Sequence, residues 1–420
     1  MTQQMHIVVE AVGAQLIELA DKNAHGFHAA TIADFQDFAR RAEAACVDAL
    51  FFADFIGKPR EQFGRRPLIS FEPITALAAI AASTESIGLV ATASTTFNQP
   101  YNVARQLASL DQVSAGRAGW NAVTSIQGHG NFGQSELAGK TTRYARAHEF
   151  TDVVRRLWTS WAPGYRDAPI DGFVDADRID DVHFRGDHID IDGWLDLPPS
   201  AQGSPVIFQA GSSEAGIAFA GRYADAVFGI TPTKRGAHAA RRRLRDAAAA
   251  EGRNPDDIRY LPGARIFVDR NGSRSGVDPT AGRMAIERIL GVRLDGVGLH
   301  DPIPAAVVAL RERVDANAAT IAGTTSAFWD LVAEPGATLY DLIEAHYVSS
   351  GFLALSGSPE HIHDTMVDWL TTGAADGFVI GAGGYIDRFY SEVLPLLRAS
   401  GHFRTRYSST TLRGHLGLAQ

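Results

Sequence analysis

The chain has 420 residues, of which 45% are hydrophobic and 21% charged, with a formal net charge of −9 at pH 7 and one cysteine, Cys46. That composition belongs to a folded chain with a large core and excludes disorder, an intrachain disulfide framework and a thiolate-rich metal site. Basic residues are scattered apart from Arg241, Arg242, Arg243 and Arg245, which share one predicted helix and read as a solvated face, so nucleic acid is not an expected partner. No stretch reaches the roughly 18 uninterrupted apolar residues of a membrane span. The opening MTQQMHIVVEAVG lacks a basic region ahead of a long apolar run, so the expectation is a cytoplasmic protein with no membrane partner.

In chain order, HIVVEAVG (6–13) predicts a first strand. A helix follows in TIADFQDFARRAEAAC, where Phe35, Phe38 and Ala42 recur at spacings of three and four and Thr31 suits the N-cap. Cys46, in AEAACVDALFF, reads as a packed thiol. DALFFAD (48–54) predicts the second strand, and an Ala-rich helix after Pro73 leads to the third, SIGLVATAS (86–94). The helical YNVARQLASLDQVS leads to the fourth strand, GRAGWNAV (116–123). HFRGDHIDIDG (183–193) holds two His and three Asp, but its alternation and glycines predict a hairpin, and no metal site is expected. PVIFQAG (205–211), ADAVFGI (224–230), IRYLPGARIFVD (258–269) and GFVIGA (377–382) supply strands five to eight.

Strands alternating with helices in this way predict an α/β protein, a (β/α)8 TIM barrel forming a single domain over 1–420. A typical barrel needs about 250 residues, which leaves roughly 170 for insertions. These fall after strands four and seven, at about 122–204 and 270–375, and both would stand over the carboxyl-terminal face of the barrel. A doubly wound sheet is the competing architecture, but no Gly-rich turn follows the first strand.

Polar residues stand where the strands end: Asp54, Ser94 and Thr95, Asn121, and Ser212 with Ser213. Any one of them reads equally well as a loop cap, whereas the set together points to a binding pocket at a barrel mouth. Leaving a buried amide such as that of Asn121 unpaired costs about 1 to 3 kcal/mol, so it calls for a partner in protein, water or ligand. An amide that both donates and accepts suits the edge of a heterocycle. Ser212 and Ser213 precede a predicted helix, EAGIAFAGRY, and suggest an anion such as phosphate at its N-terminus.

These residues carry a family resemblance. The run LVATASTTFNQPYNVARQLASLDQVSAGRAGWNAVTS, with NFG (131–133), RYARAHEFTDVVRRLWTSW (143–161), AQGSPVIFQAGSSEAGIAFAGRYADAVF (201–228) and TLRGHLGL (411–418), resembles the nitrilotriacetate monooxygenase and dibenzothiophene-sulfone monooxygenase group of the bacterial luciferase superfamily. The resemblance implies a TIM barrel that uses FMN as FMNH2, delivered by a separate flavin reductase, with O2 as oxidant. It also implies a flavin (hydro)peroxide that oxidises a small sulfur-, nitrogen- or halogen-containing or heterocyclic substrate. The flavin-holding residues it implies match Asp54, Thr95 or its neighbour Ser94, Asn121, Tyr144, Ser212 and Ser213.

The chain departs from the group in two places. The group's His four residues before Tyr144 is here Lys140, a point charge for the FMN phosphate or a solvated side chain. Near the N-terminus the loop reads ELADKNAHGFHAAT, which makes His25 and His28 candidates for acid–base work beside His148. His148 lies four residues after Tyr144, a spacing that suits simple packing as well. One branch of the group cleaves riboflavin to lumichrome and is the specific alternative. A deazaflavin-dependent oxidoreductase and a non-catalytic flavin-binding protein are the alternatives from other classes. By analogy with the superfamily, a homodimer or homotetramer is expected.

Overall fold

The structure is a computed structural model that describes residues 3–11, 31–57, 71–165, 167, 174–268, 279–311, 323–346, 351–381 and 383–419. His25 and His28 lie outside the described residues. The strands in chain order are β1 (His6–Glu10), β2 (Ala49–Phe52), β3 (Gly88–Ser94), β4 (Ala118–Val123), β5 (Val182–Arg185), β6 (Asp190–Gly193), β7 (Val206–Gln209), β8 (Ala226–Gly229), β9 (Arg259–Val268), β10 (Leu353–Gly357) and β11 (Gly377–Gly381). The eight predicted strands are β1 to β4, β7, β8, β9 and β11, each with its ends trimmed, and the fold is the predicted α/β, (β/α)8 barrel. Helices α1 (Ile32–Ala44), α2 (Pro73–Ala81), α3 (Pro100–Val113), α4 (Lys140–Trp158), α5 (Glu214–Tyr223) and α6 (Lys234–Ala250) lie between them in the chain. They are followed by α7 (Pro279–Leu290), α8 (Gly323–Val332), α9 (Leu339–Glu344) and α10 (Pro359–Thr371). Among the described residues no helix is long and apolar enough to cross a membrane.

The chain divides into two compact units. The first comprises Val9–Gln209, Tyr223–Asp225 and Arg406–Gln420, and the second Met1–Val8, Ala210–Arg222 and Ala226–Thr405.

In the first unit β2, β3, β4 and β7 pair in parallel, with Phe51 beside Val90, Val90 beside Gly119 and Gly119 beside Val206. These strands are buried along nearly their whole length, so they read as continuous apolar runs rather than alternations. Thr31 closes a capping box with Asp34 at the start of α1, which buries Phe35, Phe38 and Ala42. Trp120 packs against Phe150 and Trp158 of α4, so alternation along β4 turns Gly119 and Asn121 to the opposite face. Cys46 follows α1 at φ 59° and is half-buried rather than packed in the core, because it serves the left-handed turn that ends the helix.

Arg117, buried just before β4, is held by five hydrogen bonds. Nε donates to Ser114 O at 2.7 Å, Nη1 to Ile87 O at 2.8 Å and to Thr84 Oγ1 at 3.0 Å, and Nη2 to Thr84 O at 2.9 Å and Ala81 O at 3.2 Å. It therefore ties the end of α2 and the turn into β3 to the start of β4.

Residues 411–418 form a strap across this unit. Leu412 lies where a Cβ on Gly88 would sit 2.5 Å from its Cδ1 and one on Gly119 3.1 Å from its Cδ2, so Gly88 leaves the room it fills and Gly119 packs closely beneath it. The Arg413 amide donates to Gln202 Oε1 at 3.1 Å, and Gln202 Nε2 donates to Asp111 Oδ1 at 2.6 Å. Asp111 also accepts from the Ala118 amide and the Ser200 hydroxyl. Burial outweighs these bonds and pushes the Asp111 carboxyl up to about 6.

The folded protein thus holds the Asp111 proton more tightly than the unfolded chain does. The stability this group contributes is full below about pH 4 and is lost as pH rises through about 6. Asp111→Asn is therefore expected to gain roughly 2 to 3 kcal/mol relative to wild type between pH 4 and pH 7.5. Urea unfolding of both proteins at the two pH values checks this, and a constant difference between them would refute the raised carboxyl.

β5 and β6 form the predicted antiparallel hairpin. Its turn is pinned by the Glu149 carboxylate, which accepts the amides of Asp187, His188 and Ile189 at 2.8 to 3.0 Å. Across the strands His183 Nδ1 lies 2.6 Å from Asp192 Oδ1.

In the second unit β8 and β11 each pair in parallel with β9, with Tyr260 beside Val227 and Val379 beside Gly263. β10, which the sequence reading did not identify, pairs with the later half of β9. Helices α7, α8 and α9 share a core of their own around Ile286, Phe328, Trp329 and Leu342. The expected solvated arginine face of α6 needs correcting at Arg241, whose Nη2 lies 2.7 Å from Asp376 Oδ1. Asp376 is nearly buried and its Oδ2 also takes the Tyr260 amide at 2.8 Å, so the arginine follows its partner inward.

Candidate active site

The first unit gathers several of the expected residues at the carboxyl ends of β3 and β4. Asn121 is 4% exposed, and its Nδ2 donates to Thr92 Oγ1 at 2.9 Å. That bond fixes the amide orientation and leaves Oδ1 buried with no hydrogen-bond partner among the described residues. Buried polar atoms are nearly always paired, so an orphaned carbonyl oxygen at a strand end calls for a donor from water or from a ligand.

Ser94 complements it. Its Oγ accepts the Ser125 hydroxyl at 2.8 Å and the Thr96 and Phe97 amides at 3.0 and 3.4 Å, so its acceptor sites are used and, among the described residues, its own O–H remains to donate. Thr95 donates through Oγ1 to Val123 O at 3.1 Å, joining the ends of β3 and β4. Asp54 is half-buried just after β2.

Lys140, Tyr144 and His148 recur at intervals of four and so share one flank of α4. Lys140 is exposed in the first turn, whereas the His148 ring packs on Tyr223 with centroids 5.4 Å apart. Arg146 stands on the other flank. It donates to Thr95 O and, at 2.9 Å, to Asn98 O, fastening α4 to the loop after β3, and burial lowers its pKa from the usual arginine range.

The remaining expected pair lies in the second unit. Ser213 caps α5 by accepting the Gly216 amide at 3.3 Å, and Ser212 is exposed on a cavity of about 220 Å3 lined also by Thr231, Arg235, Arg243 and Tyr260.

Sequence reasoning missed three side chains in the first unit. Thr92 orients Asn121 and was detectable as the polar residue two positions before Ser94 on the same face of β3. Arg146 gave no signal, because its partners are backbone carbonyls distant in sequence. His129 opens the short helical turn His129–Phe132 after β4, and its Nδ1 is buried without a partner among the described residues.

The site residues suit a heterocycle with donor and acceptor groups on one edge. The family model for luciferase-like monooxygenases matches residues 15–376. N-acetyl-S-(2-succino)cysteine monooxygenase of Bacillus subtilis is 34% identical over 91% of this chain and 89% of its own length. Dibenzothiophene-sulfone monooxygenase of Rhodococcus erythropolis is 33% identical over 91% and 89%, and nitrilotriacetate monooxygenase component A of Aminobacter aminovorans 34% identical over 94% and 91%. Among solved structures, a riboflavin lyase crystallised with modified FMN and riboflavin superposes with a TM-score of 0.78 at 26% identity, covering 100% of this chain and 97% of that one. With the barrel fold and these likenesses over nearly its whole length, the chain belongs to the luciferase-like monooxygenase family.

Proposed function

We propose that the protein is the oxygenase of a two-component system, using FMNH2 from a separate flavin reductase and O2 to oxidise a small organic substrate. The observation that carries this reading is the orphaned Oδ1 of Asn121 on the same face of the β3–β4 pair as Ser94. One atom accepts and the other donates, as the polar edge of an isoalloxazine requires. When bound, the reduced flavin supplies the activation of O2, and the chain's residues bind and orient it.

Thr92 holds Asn121 in the accepting orientation, while Arg146 holds the loop that carries Thr95. Tyr144 and Lys140 are assigned to the flavin as well, the lysine to its phosphate, and in the second unit the Ser212–Ser213 pair is assigned by itself to an anion at the start of α5. The His148 ring packs on Tyr223, a contact made by the ring face. His129, whose Nδ1 has no hydrogen-bond partner among the described residues, is a further histidine able to hold or move a proton beside the candidates His25, His28 and His148. The name of the Aminobacter relative, component A, supports a separate reductase.

Purified protein supplied with FMN, NADH and an unrelated flavin reductase is expected to add oxygen to a nitrogen- or sulfur-containing organic substrate, with mass spectrometry reading the products. Oxygen uptake that never exceeds that of the reductase alone, with no substrate changed, would refute the proposal. The likeness to a riboflavin lyase supports one specific second reading, which lumichrome formation from added riboflavin would select.

A further inference from the structure

The cavity of about 220 Å3 in the second unit lies between the carboxyl end of β8 and one flank of α6. Small residues open it. Gly236, Ala239 and Ala240 bring only short side chains to that flank, and a Cβ on Gly229 of β8 would collide with the Tyr260 hydroxyl that occupies its place. Ile217, Val227 and Leu244 supply apolar wall. Arg243 follows Ala239 and Ala240 by one turn, and a helical side chain leans toward the N-terminus of its helix. Its guanidinium therefore reaches back over the space the alanines leave.

The two ends of the cavity differ in chemistry. At the inner end the hydroxyls of Thr231 and Tyr260 lie 2.8 Å apart, both buried. One donates to the other, which leaves one O–H of the pair to give to a third group. Burial raises the Tyr260 phenol above its ordinary pKa, so it keeps its proton. At the outer end stand three arginines. Arg235 is paired with Glu334 at 3.4 Å and Arg311 with Asp330, whereas Arg243 is exposed and makes no hydrogen bond or ion pair with the described residues. Two carboxylates against three guanidiniums leave the mouth one positive charge in excess. A single uncompensated cation, apolar walls and a hydroxyl donor at the closed end match a small monoanion with an apolar body and an oxygen at its far end.

We propose that this cavity binds a small organic carboxylate, with its acid group on Arg243, its body against Ile217, Val227 and Leu244, and a carbonyl or hydroxyl oxygen on the Thr231–Tyr260 pair. Ser212 borders the same cavity, so phosphate is the competing occupant. The charge count favours the carboxylate, because a dianion would keep an unbalanced charge against largely apolar walls. No residue of the first unit takes part, so the site stands whether or not the monooxygenase reading holds.

Titration calorimetry at pH 7.5 with 4-hydroxybenzoate and 4-hydroxybenzamide, without flavin, tests it. Wild type is expected to bind the acid with a Kd of about 1 mM or below and the amide about tenfold or more weakly, a difference of about 1.4 kcal/mol. Arg243→Met should bring the acid to the affinity of the amide. Ala240→Phe should abolish binding of both by filling the cavity while keeping every charge. Excess inorganic phosphate or FMN should not displace the acid. No binding of the acid, equal affinity for acid and amide, a preference that survives Arg243→Met, undiminished binding in Ala240→Phe, or displacement by phosphate or FMN would overturn the proposal. Should Ala240→Phe fail to fold, the wild-type comparison and Arg243→Met, a change at an exposed position, still decide it.

Discussion

Arg117→Met is expected to destabilise the protein by about 3 to 5 kcal/mol, the cost of breaking a buried charged network on one side. The substitution removes all five of the guanidinium's hydrogen bonds and leaves the carbonyls of Ala81, Thr84, Ile87 and Ser114 without that donor. Each acceptor stranded in the interior costs about 1 to 3 kcal/mol, only partly relieved by local relaxation. Set against a typical stability of about 5 to 15 kcal/mol, the loss should leave little soluble protein at growth temperature. Arg117→Lys should fall between, because three donors on one nitrogen cannot span carbonyls on both sides of the β3 turn. Guanidinium unfolding of the purified variants measures the effect, and a midpoint near that of wild type for Arg117→Met would show that the clamp contributes nothing.

Asn121→Ala should act on the ligand instead. We expect FMNH2 to bind about 10- to 100-fold more weakly, corresponding to one or two hydrogen bonds lost in a buried site. The fold should survive, since the substitution gives up only the bond to Thr92, which contributes about 1 kcal/mol. Anaerobic fluorescence titration with reduced FMN, alongside circular dichroism, separates the two effects. Unchanged affinity in a folded variant would take Asn121 out of the flavin site.

Asn121 was legible because it interrupts an apolar run at a strand end, a local contradiction that sequence displays directly. Most of the barrel strands were legible for the converse reason: buried on both faces, strands such as β3 and β11 are written as nearly continuous apolar segments. β10 escaped notice because LALSG is short and alternates buried with exposed residues in the chain between α9 and α10. Arg241 misled for lack of its partner, since Asp376 lies 135 residues away and no local pattern announces it. Thr92 and Arg146 are common residue types in ordinary contexts, and only the paired strands and the packed helix give them a role.

The strap at 411–418 has a consequence for how the protein is made. The first unit consists of Val9–Gln209 with only a short return at Tyr223–Asp225 before Arg406–Gln420. On a ribosome its strands emerge early, yet the leucine that fills the space above Gly88 and Gly119, and the arginine that anchors the Gln202–Asp111 pair, arrive only after the whole of the second unit has been synthesised. Until then the nascent sheet carries an unfilled apolar hollow, which is a surface for chaperones or for self-association. Refolding in vitro, where every segment is present from the start, avoids that delay, and expression yield is therefore expected to depend more strongly on chaperone supply than the refolding yield of the finished chain would suggest.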